Sequence, residues 1–264
     1  IAEVTLDNPE VVLEARRRAG NRLLFLPNHP THSDPHIMIE VFRQLKLPAS
    51  FMAAYDVFLR SKLTAWCLQR TGCFSVDREG SDRASLKEAI RVLQNGDRGL
   101  TIFPEGNVYL MNDRVTPFLD GPAFIGLKTQ GELGDSSPVL AVPVSIKVTH
   151  LTDARSEVHG WFRELAMEVR DQFDATADPV AEVKRLGLLA LHKVMTGLAR
   201  SLPENTGDDL AATLQRAAGE IIAQLEAELE LPRKEGDDLI DRIRKIRRKV
   251  HAIRIAEEPV LADH

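Results

Sequence analysis

Residues 22–35, RLLFLPNHPTHSDP, mark the point at which the chain passes from an apolar run into a helical pattern. The run RLLFLP at 22–27 predicts a buried strand, and the spacing of apolar residues over 35–46 predicts a helix. Asp34 followed by Pro35 is a favourable N-cap and first-turn pair for that helix. The stretch therefore predicts a strand, a short polar turn and a helix in direct succession.

The same alternation of strand and helix patterns continues along the chain to about residue 148. Strand patterns cover the apolar runs 22–27, 49–54, 73–76, 100–103 and 139–148. Helical spacing covers residues 35–46, 56–70, 82–95 and 121–130. Such alternation predicts an α/β domain with a mixed, largely parallel sheet flanked by helices. Pro143 has no main-chain donor, so its strand is expected at an edge of the sheet.

Polar clusters follow three of the predicted strands at the points where these strands end. NHPTHSD follows the first strand, DREG the third and PEGN the fourth. The carboxyl ends of parallel strands meet at one edge of the sheet, which is where ligands bind in this architecture. That edge is therefore the expected functional site.

His29 and Asp34, with four residues between them, are the first candidates for chemistry. A carboxylate beside an imidazole fixes its tautomer and stabilises the imidazolium, so the pair can act as a general base on a hydroxyl. A metal site is an alternative, because His32 and His36 are four apart and His29 lies three before His32. That spacing departs from the H-x-H-x-D-H zinc loop of metallo-β-lactamase-like hydrolases. On these residues alone, a general base, a metal-dependent hydrolase using His29, His32 and His36, and a plain helix start all remain open.

Four blocks in order resemble those of the glycerolipid acyltransferases, the lysophosphatidic acid (1-acylglycerol-3-phosphate) acyltransferase family. NHPTHSD at 28–34 is similar to the family's N-H-x-S-x-x-D block, with Thr31 where serine is usual. GCFSVDR at 72–78 resembles the second block, FPEGN at 103–107 contains the core of the third, and VPV at 142–144 fits the fourth. The resemblance covers residues 21–148, roughly half of the chain, and implies that family's fold and activity.

The resemblance also implies roles for the matched residues. His29 would take the proton from the acceptor hydroxyl as it attacks an acyl thioester, and Asp34 would orient His29. Arg78 would bind the acceptor's phosphate, for which a guanidinium is well shaped. The residues expected to contact substrate are Asn28, Thr31, Arg78, Glu105, Gly106 and Arg114. No metal or cofactor is expected beyond acyl-CoA or acyl-carrier protein as co-substrate, and the acceptor would be a glycerol-phosphate or lysophospholipid. A catalytically silent lipid-binding protein on the same fold is a further alternative.

The third block departs from the pattern of the family that it resembles. The family's block commonly runs F-P-E-G-T-R-S, whereas Asn107 and Val108 follow FPEG here and the next base is Arg114. Either Arg114 takes the place of that arginine from further along the loop, or the acceptor head group is bound differently. Lys128 is a weaker candidate, because an exposed lysine on a helix is ordinary.

The pattern changes after the α/β domain predicted over 1–150, and residues 151–264 are expected to form a helical extension. Its helical pattern is interrupted near 174–179, 201–209 and 231–238 by the Pro, Gly, Asp and Asn typical of helix ends. The last helix carries an apolar heptad stripe among basic residues, at Leu239, Ile243, Ile246, Val250 and Ile253. A hairpin with the preceding helix is the favoured interpretation. A self-associating coiled coil and a basic amphipathic helix on anionic lipid are the alternatives.

Composition limits the class of partner and the compartment. A net charge of −5 argues against nucleic acid as a partner. The two cysteines lie in apolar context, which suits a reducing compartment. No apolar run approaches the ~20 residues of a membrane span. A cytoplasmic protein in peripheral contact with an anionic membrane is therefore expected, and the sequence does not determine its oligomeric state.

Overall fold

The computed structural model describes residues 3–59, 61–76, 82–197, 210–233, 236–237 and 239–257. The chain consists of two compact units, Ile1–Thr149 and His150–His264. The first combines strands and helices, and the described part of the second is helical. Arg78, the residue predicted to bind phosphate, lies outside the described residues.

A five-stranded parallel sheet forms the centre of the first unit, with the strand order β3-β2-β4-β1-β5. The strands are β1 (Leu23–Pro27), β2 (Ala49–Ala54), β3 (Cys73–Val76), β4 (Gly99–Thr101) and β5 (Leu140–Val144). Every strand pairing within the described residues is parallel, so the predicted α/β architecture is confirmed. Strand β1 lies between two neighbours and is covered on both faces, which explains its uninterrupted apolar run. Pro143 lies in the edge strand β5, as its missing main-chain donor predicts.

Helices cover both faces of the sheet. In the described part of the first unit they are α1 (Pro9–Ala19), α2 (Asp34–Leu45), α3 (Tyr55–Phe58), α4 (Lys62–Arg70), α5 (Arg83–Asn95) and α6 (Gly121–Leu133). Alternate side chains of a strand point to opposite faces of its sheet. Leu23 and Phe25 of β1 accordingly pack in one core cluster with Met38 of α2, whereas Leu24 packs in another with Leu93 of α5.

The prediction of one helix over 56–70 is wrong, because α3 and α4 occupy that stretch instead. Ser61 precedes α4 in an extended conformation (φ −165°, ψ 155°), and its hydroxyl accepts a hydrogen bond from the main-chain N–H of Thr64 at 3.0 Å. A serine that caps a helix in this way starts a new helix, so it separates α4 from α3. Helix α1 is a further element that the sequence pattern did not predict.

The described part of the second unit contains α7 (Arg155–Glu168), α8 (Pro179–Gly197), α9 (Leu210–Glu228) and α10 (Leu239–Glu257). Each of these helices contacts the next along the chain. Helix α10 packs on α9, which is the hairpin that the sequence favours. Among the residues that the structure describes, no helix is long and apolar enough to cross a bilayer.

A buried ion pair joins the two helices of this hairpin. Arg242 on α10 donates from Nε and Nη2 to the two carboxylate oxygens of Glu226 on α9, each across 2.8 Å. Both residues are buried, at 7% and 8% exposure. Of the heptad stripe, Ile246 is buried, but Ile243 and Val250 stay 38% and 42% exposed. The charged pair therefore lies in the hairpin interface with Ile246, whereas much of the apolar stripe stays exposed.

Candidate active site

His29 lies at the carboxyl edge of the sheet, two residues beyond the end of β1, and Asp34 is the first residue of α2. Nδ1 of His29 lies 2.8 Å from Oδ2 of Asp34. The Asp34 side chain is 0% exposed and that of His29 is 15% exposed. A buried carboxylate at this distance holds a proton on Nδ1 and leaves Nε2 as the nitrogen that can accept one.

Thr31 also holds the carboxylate of Asp34. Its main-chain N–H donates to Oδ2 at 2.8 Å, and its hydroxyl donates to Oδ1 at 2.7 Å. Asp34 was expected to cap α2, but the N-cap position is occupied by Ser33. The carboxylate turns back towards His29 and Thr31. Nδ1 of His29 and the main-chain N–H and hydroxyl of Thr31 together occupy both of its oxygens, so it does not cap the helix. Thr31, predicted to contact substrate, is placed here as the partner of Asp34.

The imidazole of His29 stacks on the ring of Phe103, which follows strand β4. The ring centroids are 4.1 Å apart and the planes differ by 23°. Within the described part of the chain, Nε2 of His29 has no hydrogen-bond partner. Stacking and the bond to Asp34 therefore hold the ring in one orientation, with Nε2 available to a substrate.

Glu105 joins the His29 segment to the loop that follows β4. It is 3% exposed, and Oε1 accepts from the main-chain N–H of His29 at 2.7 Å. Oε2 accepts from the main-chain N–H of Thr116 at 3.0 Å and from its hydroxyl at 2.5 Å. Both carboxylate oxygens are thus used to position main chain. Nothing in the sequence pattern pointed to Thr116, because its role depends on a loop that folds back.

Asn28 extends the pairing of β1 with β5 beyond the end of the strands. Its side-chain amide donates to the carbonyl of Ile146 at 3.0 Å and accepts from the N–H of Ile146 at 2.6 Å. Both polar atoms of the side chain are used in this way, and the residue is 6% exposed. The structure thus places Asn28 where it anchors the main chain directly before His29.

Gly106 and Arg114 lie in the same loop as Thr116. Gly106 has φ 70°, and a Cβ there would come within 2.5 Å of Leu119, so a side chain at this position would be strained. Arg114 is exposed and lies two residues before Thr116, which returns to Glu105. Lys128 pairs with Glu132 at 2.9 Å on the exposed side of α6, an ordinary surface contact. Arg114 therefore lies exposed in the loop that Glu105 joins to the His29 segment, and its contact with an acceptor stays a prediction.

The histidines of the hydrolase alternative are not brought together. His32 and His36 are exposed, whereas His29 faces Asp34 and Phe103. Over the described ranges, no three His, Cys, Asp or Glu residues form a group that could hold a metal ion. The geometry of His29, His32 and His36 therefore gives that alternative no support.

A model of the family described as Acyltransferase matches residues 5–147, more than half of the 264 residues. The chain belongs to the acyltransferase family. Comparisons with curated proteins and with solved structures gave no match. The matched segment holds all five strands as well as His29, Asp34 and Glu105, so membership of this acyltransferase family supports acyl transfer as the general activity of the first unit.

Thr116→Val is expected to lower kcat of this acyltransferase by about tenfold, because it removes a hydrogen bond to a buried carboxylate that holds the His29 segment. Thr116→Ser is the matched control, since it keeps the hydroxyl and should retain near-normal kcat. The measurement is steady-state acyl transfer alongside thermal unfolding. A folded valine variant with unchanged kcat would show that the hydroxyl does not contribute to positioning.

Proposed function

We propose that the protein transfers an acyl group from acyl-CoA or acyl-carrier protein to the hydroxyl of a glycerol-phosphate or lysophospholipid, in phospholipid biosynthesis. The observation that carries the proposal is the His29 imidazole, held by buried Asp34 through Nδ1 and with Nε2 unoccupied by any described residue. A general base needs this arrangement, in which one ring nitrogen is anchored and the other is open to the substrate.

The proposed reaction proceeds by direct attack. Nε2 of His29 takes the proton of the acceptor hydroxyl while its oxygen forms a bond to the thioester carbonyl carbon. Asp34 stabilises the imidazolium that results. The tetrahedral intermediate then collapses, the C–S bond breaks, and the departing thiolate takes the proton from Nε2. The products are an ester and a free thiol, and His29 returns to its starting state.

No acyl-enzyme forms along this route, and the chemistry uses only protein side chains. We therefore propose that the protein works without a metal or cofactor apart from the acyl thioester. A lipid acceptor is met at a membrane surface, and we propose a peripheral location on its cytoplasmic face.

The reaction is tested by incubating the protein with one acyl-CoA and a panel of acceptors, and by following release of free thiol. The panel comprises glycerol-3-phosphate, lysophosphatidic acid, a lysophospholipid with a larger head group, and water alone. Release that depends on one of the three alcohols supports the proposal, and a chelator should leave the rate unchanged. Thiol release with water alone, abolished by a chelator, would instead indicate a hydrolase.

Arg114→Ala is expected to raise the acceptor's KM about tenfold to a hundredfold and leave the donor's KM nearly unchanged. A guanidinium–phosphate pair in a partly buried complex contributes about 1.5–3 kcal/mol. The same shift is expected for Arg78→Ala. Arg91→Ala is the control, because Arg91 is an exposed arginine whose partner is Glu88, on α5. An unchanged acceptor KM in Arg114→Ala would mean that the altered third block has no basic substitute.

A further inference from the structure

The segment from Tyr55 to Arg70, between β2 and β3, exposes large apolar side chains. Leu59 is 66% exposed, Leu63 70% and Trp66 53%. Helix α4, which makes up most of this segment, has no buried residue. A contiguous apolar surface of this kind on a folded protein marks a site of interaction.

The exposed side chains of α4 share one face of the helix. Leu63, Trp66, Cys67 and Arg70 follow the i, i+3, i+4, i+7 spacing, and all four are exposed. The opposite side of the helix, which includes Leu68, is half-buried and packs towards β3. The face is therefore apolar along one side of an amphipathic helix and ends in a basic residue.

Basic residues outnumber acidic ones around this face. The segment Tyr55–Arg70 contains Arg60, Lys62 and Arg70 and one acidic residue, Asp56, in a chain whose net charge is −5. The guanidinium of Arg70 lies 4.9 Å from the ring centroid of Trp66. Tryptophan beside basic side chains suits the boundary between lipid chains and anionic head groups. The ring can lie next to the lipid chains while the basic groups contact the head groups.

The position of the face relates it to the candidate active site. The segment starts directly after β2, whose carboxyl end is separated from that of β1 by β4 alone. With strands about 4.8 Å apart, the start of the segment and the His29 turn leave the same edge about 10 Å apart. The loop after β4, which contains Thr116, also exposes Leu110 at 72% and Phe118 at 54%.

We propose that the exposed face of Tyr55–Arg70 is a membrane-contact surface that rests on anionic lipid at the edge of the active site. The supply of a lipid acceptor from that surface rests on the proposed function, whereas the lipid contact itself does not. A second copy of the chain fits the face less well. In a two-fold dimer Lys62 and Arg70 of one copy would face the same basic helix of the other, and Asp56 is the one acidic residue of the segment to offset them.

The two tryptophans of the chain allow a direct test on the whole chain. Trp66 lies on the proposed surface, and Trp161, 65% exposed on α7, is its internal control. Trp161→Phe leaves Trp66 as the sole tryptophan, and Trp66→Phe leaves Trp161. Each variant is titrated with vesicles of phosphatidylcholine, with and without phosphatidylglycerol, while the emission wavelength is recorded.

We expect a blue shift from Trp66 on vesicles that contain phosphatidylglycerol, weakened by added salt, and none from Trp161. Leu63→Ser should weaken partitioning by about tenfold, and Lys62→Gln by about fivefold. Val180→Ser, which changes a 62%-exposed valine of α8, is the matched control and should leave partitioning unchanged. These readouts do not depend on acyl transfer, so they still test the membrane contact if the proposed reaction fails.

Three results would overturn the proposal. One is the absence of a Trp66 shift on anionic vesicles, and another is a shift confined to Trp161. The third is a Trp66 shift that grows with protein concentration in the absence of vesicles, because it would assign the face to a second copy of the chain.

Discussion

His29→Ala is expected to lower kcat of acyl transfer by about 10²–10⁴-fold or more while the protein stays folded. The variant loses Nε2, the atom that would take the proton from the acceptor. It keeps the main-chain N–H that binds Glu105, since that bond does not involve the side chain. The stacking contact with Phe103 and one donor to Asp34 are lost, which should cost some stability, but each oxygen of Asp34 keeps a donor from Thr31.

The measurement is thiol release with the preferred acceptor, together with circular dichroism and thermal unfolding. His36→Ala is the matched control, because His36 is exposed on the same helix that Asp34 begins and should be dispensable. Near-normal turnover in a folded His29→Ala protein would refute the general-base mechanism. Loss of activity in both variants would point to a different role for the histidines.

Asp34→Asn extends the same test to the partner of His29. The aspartate accepts bonds from His29 and twice from Thr31, and it is fully buried. An asparagine has one oxygen, so its amide group would face one of these donors and could not stabilise an imidazolium. A severe loss of kcat is therefore expected, together with some loss of stability. Thr31→Ser keeps both donors to Asp34 and should remain active.

Arg242→Ala is expected to lower the free energy of unfolding by about 3–5 kcal/mol, because it leaves the carboxylate of Glu226 buried without its partner. Arg155→Ala is the control, since its pair with Asp153 is 83% and 59% exposed and should contribute little to stability. Denaturant unfolding followed by circular dichroism measures both. Equal effects of the two substitutions on the free energy of unfolding would show that burial does not increase the contribution of the ion pair.

The pH dependence of unfolding tests whether loss of the ion pair causes this destabilisation. The hydrogen bonds from Arg242 hold the pKa of Glu226 below its ordinary value. The pair's contribution is therefore present above the ordinary glutamate pKa of about 4.3 and is lost as the pH falls through the lower folded value. In Arg242→Ala the lowering of that pKa by Arg242 is lost while the desolvation of the carboxylate remains, so the destabilisation should be largest near neutrality and shrink on acidification. Replacing both residues with methionine should recover most of the stability.

The local sequence pattern was sufficient to predict most strands and helices of the first unit. The strands predicted at 49–54 and 73–76 match β2 and β3, although β2 lies inside the sheet and β3 at its edge. The one predicted helix that proved to be two, α3 and α4, fails at Ser61, where a single side-chain cap outweighs a continuous helical pattern. Local pattern also predicted His29 and Asp34 as a pair, since only four residues separate them.

The contacts that hold this pair in place could not be predicted from spacing. Glu105 reaches His29 across 76 residues of sequence, and Asn28 reaches Ile146 across 118. Thr116 approaches Glu105 only because the intervening loop folds back. The pairing of Arg242 with Glu226 likewise needs two helices packed at one register.

The sequence by itself determined the alternation of strands and helices, the edge position of Pro143 and the proximity of His29 to Asp34. Each depends on hydrogen bonds and apolar periods that act within a few residues. The tertiary structure alone decided that Glu105 positions the His29 main chain, that Asn28 joins two strands, and that the face of Leu63 and Trp66 is left open. Those outcomes depend on which distant segments come together as the sheet is assembled, and the spacing of residues along the chain carries no record of that.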